Sequence, residues 1–292
     1  GFFNKLIGFP LPRLSRASVI SSSVRSNDMT YLPAYLLLGA VVGLFAGLLG
    51  IGGGVIIIVG LLEIFKRLNF PETHMMHLAL GTSMASILFG SISSLRAHQQ
   101  LANVDWAIVR GMTPGILVGG FLATFAAAQA PSSVLKIIFA VFMLYTATQM
   151  FINAKPKPNR ELPGRGGLAI AGTVIGAISS LIGVGGAAVS IPFMTWCNVT
   201  MHRAIGTAAA IGFPVALFGA IGYIVNGWYV PGLPENSLGF VYLPACIAIV
   251  IPSIFIAPFG ARLSHKLPVA TLKKIFGGLL LVLTAKILSD VF

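Results

Sequence analysis

The chain has 292 residues, of which 9 % are charged and 56 % hydrophobic, and its mean hydropathy is +0.92. A soluble domain carries about 25 % charged residues, so this composition cannot solvate a globular surface and most of the outside must face lipid. The formal net charge of +12 does not point to nucleic acid, because Lys and Arg flank apolar runs and form no basic stripe with interleaved aromatics.

Residues 1–28 form a basic, Ser- and Pro-containing arm with no apolar run long enough to span a bilayer. It reads as a leader, a tag or an interfacial segment, and no function is assigned to it. Repeat 1, residues 29–154, follows with four apolar segments at 32–62, 75–95, 106–128 and 133–152. The polar linker 155–165, "KPKPNRELPGR", precedes repeat 2, residues 166–292, with segments at 167–194, 203–225, 240–261 and 270–290. The expected fold is an all-α polytopic membrane protein. Trp106, Trp196 and Trp228 fall near segment ends, as aromatic-belt residues do. Pro114, Pro192, Pro214, Pro244, Pro252 and Pro258 mark kinks.

Within the first segment, "GLLGIGGGVIIIVG" places five glycines between Gly47 and Gly54. Each glycine in a helix interior costs about 1 kcal/mol relative to alanine, so a break is expected there. The pattern recurs: "LLGIGGG" (Leu48–Gly54) matches "LIGVGGA" (Leu181–Ala187). "HLALGT" (His77–Thr82) matches "HRAIGT" (His202–Thr207), and "APSSVLKIIF" (Ala130–Phe139) aligns with "LPVATLKKIF" (Leu267–Phe276). Three matches in the same order make the chain a tandem repeat.

Eight simple spans would give both repeats one orientation. The basic linker should then lie on the same side as the loop 226–239, which has no Lys or Arg. Letting each glycine-broken segment enter and leave on one face resolves the conflict and makes the repeats inverted. Arg96, Arg110, Lys155, Lys157, Arg160, Arg165, Arg203, Arg262, Lys266, Lys273 and Lys274 then lie inside, and Lys66, Arg67, Lys136 and Lys286 outside. Simple spanning divides the same residues seven to eight. The four positives of the arm favour simple spanning; the repeat match favours inversion.

Inverted repeats with broken helices are a transporter architecture, with substrate at the midplane where the breaks meet. A half-helix N-terminus offers free N–H groups and about +0.5 charge to an anion. The candidate substrate-binding residues are therefore Gly50, Gly52, Gly53 and Gly54 of the first motif and Gly183, Gly185 and Gly186 of the second. Thr82, Ser83, Gly206 and Thr207 add the hydroxyl-bearing motif. Two plainer readings stay open: the glycines are close-packing contacts, and the threonines bond their own i−4 carbonyls.

None of the seven acidic residues falls at the centre of an apolar segment, so the usual carboxylate relay for a cation or proton is missing. His77 and His202 read as interfacial. His74 and His77 have i,i+3 spacing but no third ligand, so no metal site or cofactor is expected. Cys197 and Cys246 read as small buried hydrophobes. There is no G-x-S-x-G, H-E-x-x-H or P-loop pattern, so neither an enzyme nor an ATP-driven pump is expected.

The duplicated "GLLGIGGG" and "SLIGVGGA", each followed by H-x-A-[LI]-G-T, resemble the sulfite exporter TauE/SafE family over about residues 30–292. The resemblance implies a bacterial inner-membrane permease for sulfite, sulfonates or related organic sulfur anions, with export the expected direction. The charge argument independently favours an anion. The second motif has Ala187 where the first has Gly54, so the two copies need not contribute equally. The expected partners are the lipid bilayer and a small anionic substrate, with no nucleic acid; a homodimer is left open. The alternative function is an anion channel without alternating access.

Overall fold

The computed structural model describes residues 21–49, 53–100, 102–152, 160–264 and 269–289. Ahead of the polar linker the chain forms α1 (Ser21–Leu49), α2 (Gly54–Arg67), α3 (Glu72–Gln100), α4 (Trp106–Gln129) and α5 (Ser132–Ile152). From the end of the linker onward it forms α6 (Arg165–Ile182), α7 (Ala187–Trp196), α8 (Met201–Gly227), α9 (Leu243–Ser264) and α10 (Val269–Ser289). Helix α1 starts inside the basic arm, and residues 1–20 and 153–159 lie outside the described residues. Among the described residues, seven helices are long and apolar enough to cross a membrane. Large side chains such as Leu37, Leu122, Ile170 and Phe255 stand well exposed on them, as expected of lipid-facing surface.

One element departs from the all-α expectation. Ser237–Leu238 pairs antiparallel with Val241–Tyr242 just before α9, so that helix starts at Leu243 rather than near residue 240. Turn chemistry explains it: Asn236 and Gly239 both have positive φ, and a β-carbon at Gly239 would strike the Ile224 carbonyl.

The helices approach one another over small residues, the usual way membrane helices gain packing where lipid is as apolar as leucine. Helices α1 and α9 run parallel, with Gly39 against Ile249 and Gly43 against Ser253. Helices α6 and α4 do likewise, with Gly172 against Met112 and Gly176 against Ile116. At the centre, α3 and α8 run antiparallel, pairing Gly81 with Tyr223, Met84 with Gly219 and Ser91 with Gly212. Helix α2 folds back along α1, Gly53 against Val42 and Gly60 against Leu38. Helix α7 likewise returns toward the start of α6, since the Arg160 guanidinium lies 4.9 Å over the Trp196 ring.

The two H-x-A-[LI]-G-T stretches are matching clamps. Thr82 Oγ1 accepts from the Tyr242 amide at 2.9 Å, and Thr207 Oγ1 accepts from the Asp105 amide at 2.9 Å. Each amide immediately precedes a long helix, α9 or α4, that belongs to the other repeat. The adjoining glycines admit the incoming chain: a β-carbon at Gly81 would strike the Phe240 carbonyl, and one at Gly206 the Asn103 carbonyl. Both hydroxyls are fully buried, and each clamp satisfies a backbone donor, the Tyr242 amide buried and the Asp105 amide half-buried.

Candidate functional site

The glycine motifs meet at the middle of the bundle. Helix α6 ends on Gly183 (φ +73°) and α7 starts after Gly186 (φ +79°), both in the left-handed region that favours glycine. Gly53 (φ +64°) precedes α2 in the same way. A β-carbon at Gly54 would lie 2.9 Å from the Gly183 carbonyl oxygen, so the two motifs touch through backbone. Ser83 bridges them, donating to the Gly183 carbonyl at 2.9 Å and reaching the Gly54 carbonyl at 3.4 Å. Gly50 and Gly52 lie outside the described residues.

Beside this junction is a cavity of about 400 Å³, bounded by the C-terminal halves of α1 and α3, the middle of α9, Ile57 of α2, the first turns of α8, and the 185–187 stretch. It extends from buried Ser86 to exposed Ser93 near the end of α3, and so opens toward the end of the bundle where Asp105 pairs with Arg203. Gly185 and Ala187 line it, which puts the N-terminal turn of α7 in its wall. Ser86, Ser91, Ser93, Ser94, Ser253 and His98 supply its polar groups, and no Lys, Arg, Asp or Glu is among the described lining residues.

Its chemistry is that of neutral donors. Ser86, Ser91 and Ser253 donate to carbonyls three or four residues back on their own helices, at 2.8, 2.7 and 2.9 Å. A hydroxyl proton rotates, so each can be redirected to an oxyanion at the cost of one local bond. His98 Nδ1 is buried without a partner.

Of the candidate substrate-binding residues that are described, Gly185 alone borders the cavity directly. Gly53 and Gly54 border a much smaller cleft with Val184 and Ala188. Gly183 and Gly186 flank Gly185 in the chain; Ser83 is spent on the junction carbonyls, and Thr82, Gly206 and Thr207 belong to the clamps. The polar lining on α3 and α9 escaped the sequence reading, since isolated serines in apolar helices look like locally bonded residues. His98, a titratable side chain near the end of an apolar segment, was the one available signal.

Among the described residues, seven helices able to span and a central, largely apolar cavity dotted with hydroxyls fit a multi-pass membrane protein that handles a small solute. The comparisons with known proteins agree. The sulfite exporter TauE/SafE family matches residues 35–287, and the chain belongs to that family. It is 37 % identical over 255 residues to a probable membrane transporter protein of Haemophilus influenzae, covering 87 % of this chain and 96 % of that one. Probable membrane transporter proteins of Methanocaldococcus jannaschii and Bacillus subtilis are each 27 % identical, covering 81 % and 79 % of this chain and 87 % and 89 % of theirs. No solved structure matches the chain.

Proposed function

We propose that this transporter is a secondary carrier of small sulfur-containing anions such as sulfite and sulfonates, bound in the central cavity. The observation that carries the reading is the chemistry of the wall: rotatable hydroxyls and a helix N-terminus, with no carboxylate among the described lining residues. A cation would find nothing there to neutralise it. An anion at the first turn of α7 gains about 0.3–2 kcal/mol from the helix terminus, and each hydroxyl bonded to a charged ligand adds about 1.5–3 kcal/mol. Such sums, offset by desolvation, give modest affinity, which suits a carrier that must release its cargo.

We read the two repeats as inverted. The antiparallel run of α3 and α8, which are repeat equivalents, supports this, as do the fold-back of α2 on α1 and of α7 toward the start of α6. So does the gathering of Lys66, Lys136 and Lys286 around one cleft, at the end opposite Arg203. Positive-inside bias then makes the cavity mouth cytoplasmic.

The test is counterflow in proteoliposomes preloaded with unlabelled sulfoacetate. Labelled sulfoacetate or sulfite should accumulate transiently faster than in empty vesicles. Absence of exchange for every sulfur anion tried, including thiosulfate and taurine, would overturn the substrate reading. Unitary currents in planar bilayers would replace the carrier by an anion channel.

A further inference from the structure

Exchanging the repeats maps the open cavity onto a region that is packed shut. The glycine-motif match carries Ala46, Gly47 and Ile57, all cavity-lining, to Ser179, Ser180 and Ser190. The clamp match carries Gly90 and His98 to Val215 and Tyr223. In this second region Val215 fills the space against Gly186, where a β-carbon would lie 3.3 Å from its methyl group and 3.7 Å from Ser179 Oγ. Tyr223, fully buried on α8, donates its hydroxyl to the Ser180 carbonyl on α6 at 3.1 Å.

The three serines are where the comparison departs from ordinary packing. Ser179 is 2 % exposed and Ser180 and Ser190 are 0 % exposed, and none of their hydroxyls has a hydrogen-bond partner. Yet a serine in an apolar helix normally reaches its own i−3 or i−4 carbonyl, as Ser86, Ser91 and Ser253 do. Leaving a buried hydroxyl unpaired is destabilising, and the equivalent positions ahead of the linker are Ala, Gly and Ile. A sequence selected only for this packed arrangement has no use for hydroxyls here; a wall that is wet in a second conformation does.

We propose that Ser179, Ser180 and Ser190 line a second anion-binding cavity, closed in this conformation. It opens to the face where α3 begins when the first cavity closes, and the Tyr223–Ser180 hydrogen bond is the latch between the states. The proposal rests on the carrier reading above for the ligand, a sulfur oxyanion or sulfonate, and on the inverted arrangement for the direction of opening.

Cysteine accessibility separates the two. In a Cys197→Ala, Cys246→Ala background, Ser93→Cys and Ser190→Cys are each labelled with a membrane-impermeant maleimide in oriented vesicles of both sidedness, with and without sulfoacetate. Ser93→Cys should react from the Arg203 face and Ser190→Cys more slowly from the opposite face, both protected by sulfoacetate. Adding Tyr223→Phe should raise the Ser190→Cys rate several-fold and lower that of Ser93→Cys. Ser179→Cys is the substitute probe should Ser190→Cys not assemble. A Ser190→Cys and Ser179→Cys pair inert from both faces, or reactive only from the Arg203 face, overturns the second cavity. If Ser93→Cys is still protected in that experiment, the carrier reading stands. Labelling of Ser93→Cys that neither sulfoacetate nor taurine slows overturns the substrate reading, whatever Ser190→Cys does. Finally, the double variant Ser179→Ala, Ser190→Ala should raise the Tm and slow transport. A raised Tm with unaltered transport would assign the serines to packing alone and end the proposal.

Discussion

The two repeated motifs have different fates. The H-x-A-[LI]-G-T copies do the same job twice: Thr82 holds the Tyr242 amide and Thr207 the Asp105 amide, each at 2.9 Å, and each neighbouring glycine admits the chain two residues upstream of that amide. The glycine-motif copies do different jobs. Among the described residues, Gly54 presses on the Gly183 backbone, while its counterpart Ala187 faces the open cavity. A motif repeated with identical contacts is a strut of the shared architecture. A motif repeated with different contacts is where the halves divide the labour of binding. Sequence identity between copies does not tell these apart; only the partner of each polar atom does.

The strongest way to break this comparison is to fill the space beside a clamp. Gly206→Val puts a branched side chain against the Asn103 carbonyl, and Gly81→Val does the same at Phe240. The obstructing atoms are backbone, which cannot rotate away, so overpacking should exceed the usual 1–3 kcal/mol. Neither variant should be recoverable as monodisperse protein in detergent. Recovery of both with near-normal Tm would mean the clamps are loose.

The next effect is smaller and sharper. Thr82→Val and Thr207→Val keep the shape but strip the acceptor from a buried or half-buried amide, at about 1–3 kcal/mol each. The expected result is a similar fall in Tm for both and little change in apparent affinity for sulfoacetate, measured in the folded fraction. A selective loss of affinity would return these threonines to the binding site, where the sequence first suggested them.

Ser86→Ala tests the other side of the comparison. Removing one cavity hydroxyl should weaken sulfoacetate binding by roughly threefold to tenfold, at the low end of what a bond to a charged ligand contributes. Tm should change little, because the hydroxyl donates to the Thr82 carbonyl of its own helix at 2.8 Å and makes only a long contact, 3.6 Å, to Cys246 Sγ on α9. Titration calorimetry or competition against labelled sulfoacetate reads it.

Much of the architecture was legible because it depends on composition and period. The apolar segments, the break at 183–186 and the start of α2 after Gly53 all come from residue types that restrict backbone or face lipid. The cavity was not legible, for a physical reason. In a helix apolar on every side, no periodicity separates the lipid face from the cavity face, so Ser86 and Ser253 look like Thr113 or Thr146, which simply bond their own helices. Thr82 and Thr207 pointed to ligand binding because a matched hydroxyl in a transporter suggests a ligand. Their partners lie 160 and 102 residues away along the chain, and local pattern carries no trace of them.

The smallest prediction probes where even the clamps differ. Asp105 is both clamped by Thr207 and an N-cap, its carboxylate accepting from the Ala107 and Ile108 amides at 3.1 and 3.4 Å. Tyr242, the equivalent in repeat 2, has no carboxylate to do this. Asp105 also pairs with Arg203 at 3.3 Å, but the Arg203 side chain is 57 % exposed, and exposed pairs contribute about 0.2–1 kcal/mol. Asp105→Asn retains an oxygen for the cap and loses only the charge, so its cost should be a few tenths of a kcal/mol. Asp105→Ala loses the cap as well, about 0.5–2 kcal/mol in total. The Tm should therefore fall in the order Asn, then Ala, then Thr207→Val. Raising salt to about 0.5 M, where the Debye length drops to a few ångströms, should erase the Asn effect and leave the other two. If Asp105→Asn instead costs as much as Thr207→Val and salt does not rescue it, the ion pair and not the buried hydroxyl anchors α4, and the symmetry between the two clamps is only apparent.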